Sequence, residues 1–136
     1  MPSRPPGRIL ALDYGRAHCG CAVSDPSGTI ATPLEQIADA AGDAGLRRVA
    51  ALVDEQQVRR VVVGLPLTLA GEEGAQAAET RAYVERLREV LQVPVETHDE
   101  RFTSTLASRT PGSSSEHSRA AAHLLEAYLA SRGARP

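Results

Sequence analysis

The segment Arg59-Arg-Val-Val-Val-Gly64 limits the possible folds more than any other part of this sequence. An uninterrupted β-branched run of this kind is typical of a strand that is buried on both faces of a parallel sheet. Neighbouring parallel strands must be joined by a long crossover, which is usually a helix. Segments with helical periodicity lie on both sides of the run, at about 44–57 and 75–91. The sequence therefore predicts an α/β fold.

Four further segments have the pattern of strands, and turn residues separate the first three of them. The predicted strands cover residues 8–14, 19–24, 29–37 and 93–98. Two more helices are predicted at 103–109 and 116–131. The first three strands are close enough in sequence to form an antiparallel meander. The first, fourth and fifth strands run parallel because helical crossovers join them. We therefore expect a five-stranded mixed sheet flanked by helices.

Length and composition indicate one cytoplasmic domain. The chain has 136 residues, and a typical domain has roughly 100–200. We expect a disordered, proline-rich tail at residues 1–7 and a single domain at 8–132. The sequence has no apolar run of about 18 residues that could span a bilayer, and no apolar segment follows the N-terminus as in a signal peptide. Cys19 and Cys21 are too few for a disulfide framework, and we expect both in the core.

The charged residues limit the chemistry and the manner of nucleic-acid binding. All 15 basic residues are arginine, and with 17 acidic residues the net charge is −2. The absence of lysine excludes a catalytic lysine and a P-loop. A chain with this net charge cannot coat nucleic acid with general positive charge, so any contact with phosphates depends on locally placed guanidinium groups. Arg16, Arg101 and Arg109 are the candidates nearest to predicted strand ends.

Acidic residues follow two of the predicted strands. Asp13 ends the first strand, Asp99 and Glu100 end the last, and Glu116 and His117 begin the final helix. Ligands of open α/β sheets bind outside the carboxyl ends of the strands. Taken singly, these residues are as typical of turns, caps and local ion pairs as of a site. Brought together, however, the carboxylates would repel one another unless a cation such as Mg²⁺ or Mn²⁺ offset their charge.

Five segments in order resemble the YqgF family, also called RuvX, the Holliday-junction-resolvase-like proteins. The resemblance extends from about residue 8 to residue 131. Its segments are Leu-Ala-Leu-Asp13-Tyr-Gly15 with Gly20-Cys-Ala-Val-Ser-Asp25, Ala31-Thr-Pro-Leu34, Val61-Val-Val-Gly-Leu-Pro-Leu67, Asp99-Glu-Arg-Phe-Thr103, and Arg119-Ala-Ala with Leu124-Leu and Tyr128-Leu129.

The resemblance implies an RNase H-like fold and a metal-dependent nuclease. It implies a cytoplasmic role in maturation of the 5′ end of pre-16S ribosomal RNA and, by older analogy, cleavage of branched DNA. Asp13 would be the central ligand of Mg²⁺ or Mn²⁺, in a mechanism that uses two metal ions. Glu100 would be the second acid, with Asp99 as a support or an alternative. Arg101 and Thr103 would face the substrate backbone.

This sequence departs from the family pattern at two places. The family usually has Asp at the start of the last helix, where this chain has His117 preceded by Glu116. We expect His117 to act as a metal ligand and catalytic residue, since a neutral imidazole can ligate a metal or accept a proton. The alternatives are that Glu116 supplies the missing carboxylate or that activity is reduced. The family also tends to have Arg in the turn where His18 stands, and Arg16 is the candidate to replace it as a substrate contact.

Three other readings of the sequence stay open. A chain with this fold could be a branched-DNA resolvase, which must cut two strands and therefore act as a homodimer, whereas an RNA-end processor can be a monomer. It could also be a non-catalytic nucleic-acid-binding factor of ribosome assembly. The Asp13-Tyr-Gly15 turn also resembles the phosphate turn of actin-like sugar kinases. Those enzymes clamp ATP between two such domains, and this chain has room for one. Of the possible substrates, we expect structured RNA rather than branched DNA.

Overall fold

Five strands form a single sheet whose order is β3-β2-β1-β4-β5. The structure is a computed structural model that describes residues 7–68, 70–100 and 116–133. The strands are β1 (Arg8–Asp13), β2 (His18–Ser24), β3 (Ala31–Ala38), β4 (Val58–Leu65) and β5 (Val95–Asp99). β1 pairs antiparallel with β2, which pairs antiparallel with β3. β4 lies parallel to both β1 and β5. This arrangement confirms the predicted mixed sheet.

Within the described residues, three helices cover the two faces of the sheet. They are α1 (Asp43–Glu55), α2 (Ala75–Val90) and α3 (Glu116–Gly133). Because successive residues of a strand point to opposite faces, each strand contributes to two cores. Leu10, Leu12 and Val61 pack with the residues of α1 and α2. Ile9 and Ala11 pack with the residues of α3. The next residue of β1 in this second series is Asp13, which therefore lies on the α3 face.

The register of the sheet aligns four residues across its α3 face. Asp13 is paired with Gly20 of β2. Leu12 is paired with Val63 of β4, so Asp13 lies beside Gly64. Gly64 is in turn paired with His98 of β5. Since cross-strand partners share a face, Gly20, Asp13, Gly64 and His98 form one row at the carboxyl ends of β1, β4 and β5.

Two details of the helices differ from the sequence predictions. The periodicity of α2 predicts Ala78 and Ala82 on the buried face, but both are exposed. The buried stripe of α2 consists of Ala77, Thr80, Tyr83, Val84 and Leu87. Thr80 satisfies its hydroxyl by donating to the Gln76 carbonyl at 2.9 Å, and this bond allows a polar residue to occupy a core position.

The second difference concerns the start of α1. Asp43 is predicted to cap this helix, but the cap is Gly42, which provides no side-chain hydrogen bond, and Asp43 is the first helical residue. Its negative charge still lies in the first turn, where the helix dipole favours it. The predicted helix at 103–109 and residues 1–6 of the predicted tail lie outside the described residues.

The remaining fold-level predictions concern membranes and cysteines. Within the described ranges, none of the helices combines the length and the apolar character that a bilayer crossing requires. Cys19 and Cys21 are free thiols and are buried. Both lie in the core beneath α1 and α2, as expected for small apolar residues.

Candidate active site

The carboxyl ends of β1 and β5 bring Asp13 and Glu100 into contact. Asp13 is the last residue of β1, and Glu100 follows directly after β5. The two side chains share a hydrogen bond, although β4 separates their strands. The parallel order β1-β4-β5 thus unites the two acids that the resemblance implies as the first and second catalytic carboxylates.

Gly64 of β4 makes this contact possible. A Cβ atom added at Gly64 would lie 2.8 Å from Cγ of Glu100 and closer still to its Oε1. The Glu100 carboxyl group therefore lies directly over the backbone of β4, in the gap that the missing side chain leaves. Any other residue at position 64 would occupy the space between Asp13 and Glu100.

The pair of carboxyl groups holds a proton. The pKa of Glu100 is raised from its usual 4.5 to about 8, chiefly by burial and further by the hydrogen bond and negative charge of Asp13 and by the charge of Asp99. Two adjacent carboxyl groups cannot both ionise at low cost unless a positive charge is present. Near neutral pH, and with no cation bound, Glu100 is thus predominantly protonated and donates to Asp13.

The start of α3 lies on the other side of Asp13. A Cβ atom at Gly20, the cross-strand partner of Asp13, would lie 2.8 Å from the backbone nitrogen of Ser118 and closer still to the carbonyl group of His117. Ser118 is fully buried, and its Oγ accepts a hydrogen bond from the backbone N–H of Cys21 at 3.2 Å. Gly20 and Ser118 thus hold the first turn of α3 against β2, one strand away from Asp13.

His117 faces a second histidine. Its ring centroid is 5.5 Å from that of His18, and the two planes are inclined by 33°. Nδ1 of His18 also lies 3.4 Å from Nε2 of Gln36 on β3. Both residues at which the sequence departs from the family pattern therefore lie together. Glu116 is exposed at the first position of α3.

The donor set fits a hard divalent cation that retains much of its water. Among the residues placed by the structure, no three His, Cys, Asp or Glu side chains are grouped closely enough to hold a metal ion by themselves. Mg²⁺ in proteins commonly uses one or two carboxylates, several waters and the phosphates of the substrate. The Asp13–Glu100 pair supplies two carboxylates of this kind. A cation bound between them would replace the proton and relieve the repulsion of the two negative charges.

The substrate-contact candidates fall into two groups. Arg16 lies in the turn after Asp13 and is paired with Glu79 of α2, from Nε to Oε2 at 3.0 Å and from Nη2 to Oε1. Arg101, Thr103 and Arg109 lie outside the residues that the structure describes.

The sequence did not reveal the roles of Gly20, Gly64 and His18, because their importance comes from contacts across the sheet. The signals available for the first two were a glycine near a strand end and their place in segments that resemble the family.

A sequence model of the RuvX family, described as Holliday junction resolvase, matches residues 7–131. Curated relatives support the same assignment. A protein of Roseiflexus sp. (strain RS-1) is 40% identical over 107 residues, which is 79% of this chain and 76% of that protein. A protein of Chloroflexus aggregans is 48% identical over 101 residues, or 74% of this chain and 71% of the relative. Both bear the name "Putative pre-16S rRNA nuclease".

Solved structures agree on the fold. Thermus thermophilus RuvC in complex with a Holliday junction substrate superposes with a TM-score of 0.65 over 94% of this chain and 96% of that chain, at 15% sequence identity. A second structure of the same protein gives a TM-score of 0.61 over 93% of this chain and 96% of that chain, at 18% identity. At this identity the likeness concerns the fold alone. The family model that matches residues 7–131, with the curated relatives at 40% and 48% identity, shows that the chain belongs to the RuvX family.

Proposed function

We propose that this protein is a metal-dependent nuclease that processes the 5′ end of pre-16S ribosomal RNA. The observation that carries the proposal is the Asp13–Glu100 pair, in which two carboxyl groups from separate strands are held together by a hydrogen bond. A stability argument does not explain this pair, because burying two adjacent acids is costly. The names of the curated relatives direct the proposal to pre-16S ribosomal RNA.

Asp13 and Glu100 would hold Mg²⁺ or Mn²⁺. His117 of α3 is not grouped with them in the described part of the chain, so it would join as a third ligand only by moving toward the bound ion. Bound there, one or two such ions would supply the activation of a water molecule and the neutralisation of the leaving oxygen. Asp99 adds negative charge next to the pair, and this charge strengthens the attraction for a cation. If His117 does not ligate, it would instead accept a proton from the attacking water.

Arginines near the site would hold the substrate backbone. Arg16 lies three residues after Asp13 and presents its guanidinium group at the surface. We propose it as a phosphate contact, with Arg101 and Thr103 as further contacts from the segment after Glu100. The net charge of −2 offers no general attraction for RNA, so these local contacts would provide most of the electrostatic affinity.

We further propose that residues 8–132 are one nuclease domain that acts in the cytoplasm. Trimming one RNA strand requires one active site, so a monomer suffices for this role. Resolution of a four-way junction requires two coordinated cuts and hence a homodimer. We therefore expect a monomer if the protein trims RNA and a homodimer if it resolves four-way junctions.

Cleavage of two substrates side by side tests the proposal. A pre-16S leader fragment and a four-way DNA junction are incubated with the protein in Mg²⁺, in Mn²⁺ and in EDTA, with Asp13→Asn as the inactive reference. We expect cutting of the RNA that requires a cation and is lost in the reference. Cutting of the junction alone would support the resolvase. If neither substrate is cut, or if Asp13→Asn cuts equally well, the protein is a non-catalytic assembly factor.

Substitution of His117 tests its share in the site. If His117 is a working ligand, His117→Ala lowers cleavage by about 10²-fold or more, while His117→Asp retains activity. A large gain in His117→Asp with no loss in His117→Ala would show that the native site lacks its third ligand. Glu116→Gln tests the alternative in which this adjacent exposed acid supplies the missing carboxylate, and a loss of cleavage in this variant alone would favour Glu116.

A further inference from the structure

A cleft adjoins the candidate site on the other side of the first strand's end. It has a volume of about 400 Å³ and lies between the turn after β1 and the first turns of α2. Tyr14, which directly follows Asp13, lines one wall, and Pro66 after β4 lines another. Arg16 and Glu79 both line the cleft. Arg16 follows Asp13 by three residues, so at most about 10 Å of backbone separates them, and a strand that binds at Asp13 would have a further phosphate within reach of this cleft.

Arg16 and Glu79 form a two-point ion pair across the cleft. Nε of Arg16 donates to Oε2 of Glu79 at 3.0 Å, and Nη2 donates to Oε1. Their hydrogen bond lowers the pKa of Glu79 and raises the pKa of Arg16. The Arg16 side chain is 81% exposed and that of Glu79 is 37% exposed. Ion pairs this exposed contribute little to stability, so stabilisation of the fold does not account for the contact.

The geometry of the pair is the one in which a guanidinium group binds phosphate. Arginine grips carboxylate and phosphate with the same planar pair of N–H donors. The Glu79 carboxylate therefore occupies the position that a phosphate of a bound strand would take on Arg16. A phosphate reaches that position only by displacing Glu79, and an exposed pair yields to a competing anion at small cost.

We propose that Glu79 is a specificity-determining residue that occupies the phosphate-binding fork of Arg16 until a correctly placed substrate displaces it. A strand already held at Asp13 presents its next phosphate at high effective concentration and replaces Glu79 readily. An RNA that is not bound at Asp13 lacks this advantage and must compete with Glu79 for Arg16 at its free concentration in solution. The inference rests on the proposed function, because it takes Arg16 to be a phosphate contact.

Binding of a short polyuridine RNA in EDTA, measured by fluorescence anisotropy, tests this role without cleavage. Glu79→Gln is compared with Glu85→Gln, a matched control that also removes an acid from α2. Glu85 is 62% exposed and is paired with Arg88, and it lies about 9 Å further along the helix axis. Glu79→Gln should bind the RNA about two- to fivefold more tightly than Glu85→Gln, since it removes an exposed pair.

A double-mutant cycle with Arg16→Gln separates the possible outcomes. Arg16→Gln should weaken binding, and the gain from Glu79→Gln should disappear in its presence. Equal affinities of Glu79→Gln and Glu85→Gln, or a gain that persists without Arg16, would overturn the role of Glu79 while leaving the Arg16 contact intact. If Arg16→Gln binds as tightly as the wild type, the phosphate contact itself is wrong and the role of Glu79 falls with it. Thermal unfolding of every variant confirms that the fold is retained.

Discussion

The carboxyl groups of Asp13 and Glu100 share a hydrogen bond above the backbone of Gly64. Each residue comes from the end of a different strand, and the strand between them provides a glycine where a side chain would separate them. The shared proton and a divalent cation compete for the same place. This competition links the metal requirement, the pH dependence of stability and the need for glycine at position 64.

Gly64→Ala should abolish most of the cleavage without unfolding the protein. The added Cβ would meet the far end of the Glu100 side chain, which can rotate away, so the cost falls on the site rather than on the fold. Displacing a catalytic group by about 1 Å can cost roughly 10²-fold in rate. Gly74→Ala is the control, because a Cβ there meets nothing within 4 Å. Equal cleavage rates in the two variants would show that Glu100 is not held by Gly64.

The stability of the metal-free protein should fall as the pH rises from about 4.5 to about 8. Glu100 has a usual pKa of 4.5 and a folded-state pKa of about 8, so the folded state binds the proton more tightly than the unfolded state does. The stabilisation that Glu100 provides is fully present below a pH of about 4.5 and is lost as the pH rises through about 8. Each pKa unit corresponds to about 1.4 kcal/mol, and the total loss amounts to a few kcal/mol.

Chemical denaturation in EDTA at pH 5 and pH 9 measures this loss. Glu100→Gln removes the titrating group and should show a smaller decrease than the wild type over the same range. Asp13→Asn should lie between the two, since burial of Glu100 persists while the neighbouring charge is gone. An equal decrease in wild type and Glu100→Gln would contradict the shared proton.

Mg²⁺ or Mn²⁺ should stabilise the fold, and more strongly at higher pH. The cation must displace the proton between Asp13 and Glu100, so its apparent affinity rises as that proton becomes easier to remove. At a concentration of 100 times Kd the expected gain is about 2.7 kcal/mol. Thermal shift titrations at pH 6 and pH 8.5 measure the effect. Asp13→Asn should lose most of it, and a pH-independent shift that survives in Asp13→Asn would place the cation elsewhere.

Ser118→Ala should destabilise the fold by about 1–3 kcal/mol, because it leaves the buried N–H of Cys21 without its hydrogen bond to Ser118. It should also lower cleavage, since Ser118 holds the turn that carries His117. Ser131→Ala on the same helix is the control; its hydroxyl donates to the Tyr128 carbonyl at 3.0 Å from an exposed position, and its loss should cost less than about 0.5 kcal/mol. Denaturant midpoints of the two variants decide the comparison.

Local patterns in the sequence were sufficient for the order and type of the eight elements. The valine run of β4 and the apolar run of β1 both predict strands that are buried on two faces, and the residues of both runs are buried. The stripe of α2 was predicted incorrectly at Ala78 and Ala82. Alanine is compatible with both surface and core, whereas the large residue Tyr83 marks the buried side once the sheet is in place.

The sequence by itself determined that Asp13 ends a buried strand and that Asp99 and Glu100 follow another, because hydrophobic periodicity and chain order are local properties. Only the tertiary structure decided that Glu100 lies over Gly64, that His117 rests on Gly20 beside His18, and that Glu79 holds Arg16. Such contacts join residues that are distant in the chain. Their geometry depends on strand order, register and helix packing, which no short segment of sequence encodes.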